Sequence, residues 1–131
     1  MKYLLDTSVF LWSNGALERL NRQATAVLSS KSSEVYLSAA SSWEIAIKFA
    51  LGALRLPSPP LQFIPDALRI LSIRSLEISH LHSLAAGALP PHHRDPFDRM
   101  LIAQANSEEM VLLTADRVFE KYDVETMFCG K

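Results

Sequence analysis

Four acidic residues stand beside apolar segments of this chain, and they constrain its fold more than any other feature. They are Asp6, Glu44, Asp98 and Asp116. Each lies just after an apolar strand-like run or on an apolar helical stretch. A carboxylate is seldom buried without a partner, because dehydrating an anion costs free energy. Four such groups need a shared compensating charge, which a hard divalent cation with oxygen ligands would supply.

Length and composition predict a single globular domain spanning residues 1–131. The hydrophobic share of 49% and the charged share of 21% argue against disorder. The one cysteine, Cys129, cannot form an internal disulfide, so nothing calls for an oxidising compartment. No segment approaches the roughly 20 apolar residues of a membrane span, and Asp6 interrupts the apolar N-terminal run. We therefore expect a cytoplasmic protein without a signal peptide.

The formal net charge of −1 argues against broad electrostatic attraction to nucleic acid or to anionic lipid. It does not exclude a nucleic-acid substrate, because a carboxylate cluster lowers the total charge. Local lysine and arginine side chains can still steer a phosphate backbone.

Short strand-like runs alternate with helical patterns along the chain. Strands are predicted at residues 2–5, 35–37, 76–78, 110–113 and 124–128. Helices are predicted from residue 9 onward and at 19–30, 41–51, 61–70 (starting at Pro65 if that proline delays it), 80–88 and 96–105. This alternation favours a parallel sheet with helices on both faces. In such sheets the ligand site lies beyond the carboxyl ends of the strands, where the strand order reverses.

Glu44 has a structural interpretation beside the functional one. Ser41 and Glu44 have the spacing of a capping box at the start of the helix predicted at 41–51. Lys48 lies one helical turn further on and can pair with Glu44. The capping and functional roles are compatible if the carboxylate divides its oxygens.

Four motifs in this order resemble those of the PIN-domain ribonuclease family, and within it the VapC-type toxins of bacterial toxin–antitoxin pairs. The motifs are Leu4-Leu5-Asp6-Thr7-Ser8, Trp43-Glu44-Ile45, Asp95-Pro96-Phe97-Asp98-Arg99 and Leu113-Thr114-Ala115-Asp116. The resemblance implies a three-layer α/β/α sandwich with a central parallel sheet that cleaves RNA with Mg²⁺ or Mn²⁺. It also implies a homodimer and a small antitoxin protein covering the crevice. The helices predicted at 41–51 and 61–70 offer apolar surface for such contacts.

The resemblance maps the family's acidic positions onto the four carboxylates named at the outset. Asp6 and Asp98 are the expected direct metal ligands, and Asp116 is expected to bind directly or through water. Glu44 is expected to orient the attacking water or to act as its base. A metal ion suits phosphodiester cleavage because it polarises the phosphate and lowers the pKa of bound water. Whether one ion or two are held stays open.

Several neighbouring residues have supporting roles with structural alternatives. Asp95 either caps the helix that begins at Pro96 or reaches the metal indirectly. Thr114 and Ser8 are candidate hydroxyl donors to a carboxylate or phosphate, and turn or cap chemistry is the preferred interpretation for Ser8. Arg94 and Arg99 are candidates for contacting RNA phosphates, with pairing to nearby acids as the alternative.

Histidines and tryptophans receive structural interpretations. The adjacent pair His92-His93 lacks the ligand spacing of a zinc site, and His80 and His82 would face different ways on a helix. We therefore expect no histidine metal site. Trp12 and Trp43 fall within apolar helical faces and are predicted to be packing residues.

Other function classes fit the motifs less well. Asp6 is not part of an Asp-x-Asp pair and no lysine follows a late strand, which disfavours phosphotransfer domains. None of the four glycines forms a phosphate-cradling loop, which disfavours nucleotide binding. The remaining alternative is a catalytically inactive PIN-like module that binds RNA or a protein, and the complete acidic set argues against it.

Overall fold

Five short strands form one sheet at the centre of the molecule, and helices connect them. The computed structural model describes all 131 residues, Met1–Lys131. The strands are β1 Lys2–Leu5, β2 Glu34–Ser38, β3 Arg74–Leu76, β4 Val111–Thr114 and β5 Thr126–Phe128. The helices are α1 Thr7–Ser13, α2 Arg22–Ser29, α3 Ala39–Ala50, α4 Pro60–Ile70, α5 His80–Gly87 and α6 Pro96–Ser107, with 3₁₀ turns at Leu17–Arg19 and Arg117–Lys121. None of the helices is long and apolar enough to cross a bilayer.

All neighbouring strands pair in parallel, in the order β3-β2-β1-β4-β5. The chain first builds outward from β1 through β2 and β3, and then returns to place β4 on the other side of β1. The strand order therefore reverses beside β1, as the doubly wound topology requires. Asp6 directly follows β1, and Asp116 follows β4 by two residues.

Two apolar clusters lie on opposite faces of the sheet, because successive strand residues point to opposite sides. Leu5 and Leu113 belong to one cluster, whereas Leu4 and Leu112 belong to the other. Side chains from α1, α2, α3 and α4 complete the first cluster: Phe10, Ala24, Ile45 and Ile64. Side chains from α6 and the second 3₁₀ turn complete the other: Leu101, Ile102 and Phe119. The predicted α/β/α sandwich with a central parallel sheet is confirmed.

Several element boundaries differ from the predictions. The third strand is Arg74–Leu76 instead of 76–78, because it pairs with residues 36–38 of β2 and local alternation does not reveal that register. The helix predicted at 19–30 is a 3₁₀ turn followed by α2. Helix α4 begins at Pro60 and continues through Pro65, which has no backbone N–H to donate to the preceding turn. Because Pro65 is exposed, solvent can bind the carbonyl that lacks this donor.

The predicted capping box of Ser41 and Glu44 is wrong, because α3 begins two residues earlier than its sequence pattern suggests. Ser38 is the N-cap, and its hydroxyl accepts a hydrogen bond from the Ala40 amide at 3.0 Å. Ser41 therefore lies inside the first turn of the helix. The carboxylate of Glu44 therefore does not cap α3, and it lines the cavity described below.

Arg99 anchors the loop that connects α5 to α6. Its Nη1 donates to the carbonyls of Pro90 (2.9 Å) and His93 (3.4 Å). Its Nη2 donates to the carbonyls of Ala86 (3.0 Å) and Leu89 (2.9 Å). The predicted pairing of Arg99 with acids is absent, and its terminal nitrogens are engaged by backbone. We therefore assign Arg99 to positioning this loop instead of contacting RNA.

Replacement of Arg99 by lysine is expected to destabilise the fold by about 1–3 kcal/mol, because an ammonium cannot reproduce the planar donor set and leaves carbonyls unpaired. Urea denaturation followed by circular dichroism measures the change. Arg69→Lys is the matched control, since its exposed pair with Asp66 survives as an ammonium–carboxylate pair. Equal stability of the two variants would contradict the anchoring role.

Candidate metal centre

A polar cavity of about 180 Å³ opens at the carboxyl edge of the sheet beside β1. Nine residues line it: Asp6, Thr7, Ser8, Glu44, Lys48, Asp95, Asp98, Asp116 and Phe119. The four carboxylates singled out in the sequence therefore share one cavity, although they come from four separate segments. Another cavity, of about 200 Å³, has no charged residue in its lining and is not a candidate for this chemistry.

Asp6 forms the floor of the cavity and is only 5% exposed. Its Oδ1 accepts a hydrogen bond from the Val9 amide at 2.7 Å, so Asp6 is also the N-cap of α1. Its Oδ2 accepts from the Thr114 hydroxyl at 2.5 Å and from the Ala115 amide at 3.4 Å. Burial raises the pKa of Asp6, the three hydrogen bonds oppose that rise, and the charge of Asp116 adds to it.

Glu44, also 5% exposed, occupies the wall formed by α3. Its Oε1 accepts a hydrogen bond from the Thr7 hydroxyl at 2.5 Å, and the Thr7 oxygen lies 3.0 Å from that of Ser41. Its Oε2 accepts from Lys48 Nζ at 2.6 Å, which confirms the predicted pairing across one helical turn. That hydrogen bond is the main cause of a raised pKa of Lys48.

Asp98 enters the cavity from the first turn of α6, which Asp95 caps. The Oδ1 of Asp95 accepts from the amides of Phe97 (2.9 Å) and Asp98 (3.3 Å), so the predicted cap is present. The Oδ2 of Asp98 lies 2.7 Å from His93 Nε2. Burial raises the pKa of Asp98 to about 6; the hydrogen bond with His93 opposes the rise, and the charge of Asp95 reinforces it.

Asp116 is the exposed member of the set and begins the second 3₁₀ turn. Its Oδ1 accepts from the Val118 amide at 3.0 Å, and its own amide donates to the Thr114 hydroxyl oxygen at 3.0 Å. Thr114 thus links Asp116 to Asp6, which fits its predicted role as a hydroxyl donor to a carboxylate.

His93 is the residue that the sequence reasoning missed. Ligand atoms of His93, Asp98 and Asp116 all lie within 4.8 Å of one another, an arrangement able to hold a metal ion. The pair His92-His93 was set aside for lacking the spacing of a zinc site. The available signal was its position five residues before Asp98, in the segment that leads into a helix started by a proline.

The other predicted residues lie in varied surroundings. Ser8 is exposed in the first turn of α1 and lines the cavity, while the cap role falls to Asp6. Arg94 is exposed, and its contact with RNA stays a prediction. Trp12 packs against the core as predicted, whereas the prediction for Trp43 is wrong because this side chain is 62% exposed.

His82 and His80 face different ways, as predicted. His82 is buried, with Nε2 2.9 Å from a carboxylate oxygen of Glu108, and His80 is exposed. Neither residue belongs to the metal-binding group of His93, Asp98 and Asp116.

Solved structures with the same architecture include a toxin–antitoxin complex from Klebsiella pneumoniae, which matches with a TM-score of 0.65 at 17% identity over 92% of each chain. VapBC2 from Rickettsia felis, bound to a DNA fragment from its promoter, matches with a TM-score of 0.70 at 16% identity over 98% of this chain and 99% of that chain. VapBC-1 from nontypeable Haemophilus influenzae matches with a TM-score of 0.66 at 19% identity over 98% of each chain. At such identities these similarities establish the fold alone.

Sequence comparison gives two further matches. A segment of 61 residues, 47% of this chain, is 36% identical to Ribonuclease VapC16 of Mycobacterium tuberculosis and spans 43% of that protein. The family model of the PIN domain matches residues 3–125. This chain therefore belongs to the PIN domain family.

Proposed function

We propose that this chain is a metal-dependent endoribonuclease that acts in the cytoplasm as the toxin of a toxin–antitoxin pair. The observation that carries the proposal is the convergence of four carboxylates on one small cavity at the switch point of the sheet, with His93 within 4.8 Å of two of them, Asp98 and Asp116. Membership of the PIN domain family supports it, as does the segment similar to a protein named as a ribonuclease.

The donor set suits a divalent cation. Carboxylate oxygens are the ligands that Mg²⁺ and Mn²⁺ favour. The raised pKa values of Asp6 and Asp98 reflect burial of anions without enough positive charge nearby, which a cation would correct. Asp98, Asp116 and His93 would hold the ion. Asp6 would bind the same ion directly. The ion would supply charge neutralisation for the phosphate and acidify an attacking water.

The remaining residues of the cavity position these groups. Thr114 holds Asp6 and the backbone of Asp116 in fixed relation at the ends of β1 and β4. Thr7 and Lys48 fix the carboxylate of Glu44, which we propose orients the water that attacks phosphorus and takes its proton. Asp95 sets the first turn of α6 and thereby the direction of Asp98.

The partner proposals rest on the exposed apolar side chains and on the structural neighbours. Trp43, Ile47 and Leu51 are exposed along and just beyond α3, and Leu61 is 90% exposed on α4. The solved neighbours include a toxin–antitoxin complex from Klebsiella pneumoniae. We propose that a small antitoxin and a second copy of this chain cover parts of this apolar surface.

Metal-dependent RNA cleavage is the decisive activity. The protein is expected to cut a structured RNA in Mg²⁺ or Mn²⁺, and EDTA should abolish cleavage. Asp6→Asn and Asp98→Asn should each lower the rate by roughly 100-fold or more, the loss typical of removing a positioned catalytic group. Rates of cleavage of a fluorescently end-labelled RNA measure the effect. Asp123→Asn, which alters an exposed carboxylate outside the cavity, is the matched control.

Two outcomes would contradict this assignment in different ways. If the Asp6 and Asp98 variants cut as fast as the parent, the catalytic site lies elsewhere. If the parent binds RNA without cutting it in either metal, the chain is an inactive binding module of the PIN domain family.

Removal of the buried charge of Asp98 should stabilise the metal-free fold. Its pKa in the folded protein is about 6, above the ordinary value of 3.8. Between pH 3.8 and pH 6, Asp98 is therefore protonated in more of the folded molecules than of the unfolded ones. The free energy of unfolding therefore falls as pH rises through this window. At pH 7.5 in EDTA, Asp98→Asn should unfold at a higher urea concentration than the parent, with a free energy of unfolding larger by at most about 3 kcal/mol. This difference in stability should shrink toward pH 4. A variant less stable than the parent at pH 7.5 would contradict this account.

A further inference from the structure

Lys48 is the basic residue in the lining of an otherwise acidic cavity. Its side chain is 52% exposed, whereas that of its partner Glu44 is 7% exposed. The side chain of Lys48 is therefore partly in solvent, while its ammonium contacts a buried carboxylate at 2.6 Å. Ordinary surface pairs at this helical spacing join two exposed groups and contribute little, so the burial of Glu44 sets this pair apart.

The cavity divides into two halves that differ in their counter-charges. In one half, the ligand atoms of His93, Asp98 and Asp116 lie within 4.8 Å of one another and can hold a metal ion. In the other half, both oxygens of Glu44 are engaged, one by the Thr7 hydroxyl and one by the Lys48 ammonium. Lys48 lines the same cavity as Asp95 and Asp98, and the charges of both carboxylates add to the raised pKa of Lys48.

Nucleases with two metals hold them roughly 3.5–4 Å apart with carboxylates that serve both ions. Here a positive charge already occupies the Glu44 half. We propose that Lys48 takes the place of a second metal ion: it neutralises Glu44, restricts the site to one divalent cation and presents a positive charge to the RNA phosphate. This inference rests on the proposed nuclease function and specifies how its site is charged.

The chemistry of an ammonium fits this role. It has three donor hydrogens, of which Glu44 uses one, so two remain for non-bridging phosphate oxygens. It is a compact point charge on a flexible stem, and it can follow a phosphate while keeping its contact with the carboxylate. A solely structural helix pair would have no influence on the number of metal ions bound.

Metal stoichiometry tests the inference without reference to activity. Calorimetric titration with Mn²⁺, combined with electron paramagnetic resonance, counts the ions and detects spin coupling between two of them. The parent should bind one Mn²⁺. Lys48→Met, which keeps the stem and removes the charge, should gain a second, coupled Mn²⁺ with an affinity no more than roughly tenfold below that of the first. Lys48→Gln is the second charge-removing variant, while Lys48→Arg and the exposed Lys121→Met should keep one ion.

Each other outcome overturns the inference, and the outcomes are distinguishable from failure of the nuclease proposal. Two coupled ions in the parent would overturn the role of Lys48 and leave a metal-dependent nuclease intact. One ion in the parent and in both charge-removing variants would show that Lys48 does not limit occupancy. No bound ion in the parent would remove the metal centre itself, and with it both proposals.

Discussion

Parallel pairing of β1 with β2 on one side and β4 on the other is the constraint on which the site depends. The Asp6 amide still donates to the Leu113 carbonyl at 2.9 Å, so the ladder between β1 and β4 continues to the residue that enters the cavity. The Thr114 hydroxyl then bonds the Asp6 carboxylate across a sequence separation of 108 residues. A register shift of one residue would turn Leu4 and Leu5 to the wrong faces of the sheet. The packing of the core thus also fixes the position of the acids.

The site concentrates negative charge where burial makes it costly. Asp6 and Glu44 are almost fully buried, and partial burial of Asp98 raises its pKa to about 6. Lys48 and His93 each contact one of these carboxylates, but two such groups do not neutralise five acids in one cavity. A scaffold that needed only stability would place apolar or neutral residues here. Locally unfavourable arrangements of this kind are typical of functional sites, where stability is given up for activity.

Local patterns were sufficient to predict the sheet, the sandwich and the edge at which the acids meet. An acidic residue at the end of a strand predicts where a side chain emerges from a parallel sheet, and this holds for Asp6, directly after β1, and for Asp116, two residues after β4. Asp95 could be predicted as a cap because capping depends only on the few residues that follow it. These features are all encoded within short windows of sequence.

The features that were missed depend on contacts between distant segments. His93 contacts Asp98 from a loop whose backbone carbonyls are bound by Arg99. The true start of α3 is set by its connection to β2, which removes Ser41 from the cap position. Trp43 has the helical context of a core residue but lies on the exposed side of α3, in edge-to-face contact with Phe97. None of these arrangements is visible in local periodicity.

Crystals grown with Mn²⁺ and measured at the manganese absorption edge would test most directly whether the converging acids form a cation site. The anomalous difference map should show a peak inside the cavity, with oxygens of Asp98 and Asp116 at coordination distances of about 2.1 Å. An empty cavity at saturating Mn²⁺, or a peak that contacts neither carboxylate, would contradict the account.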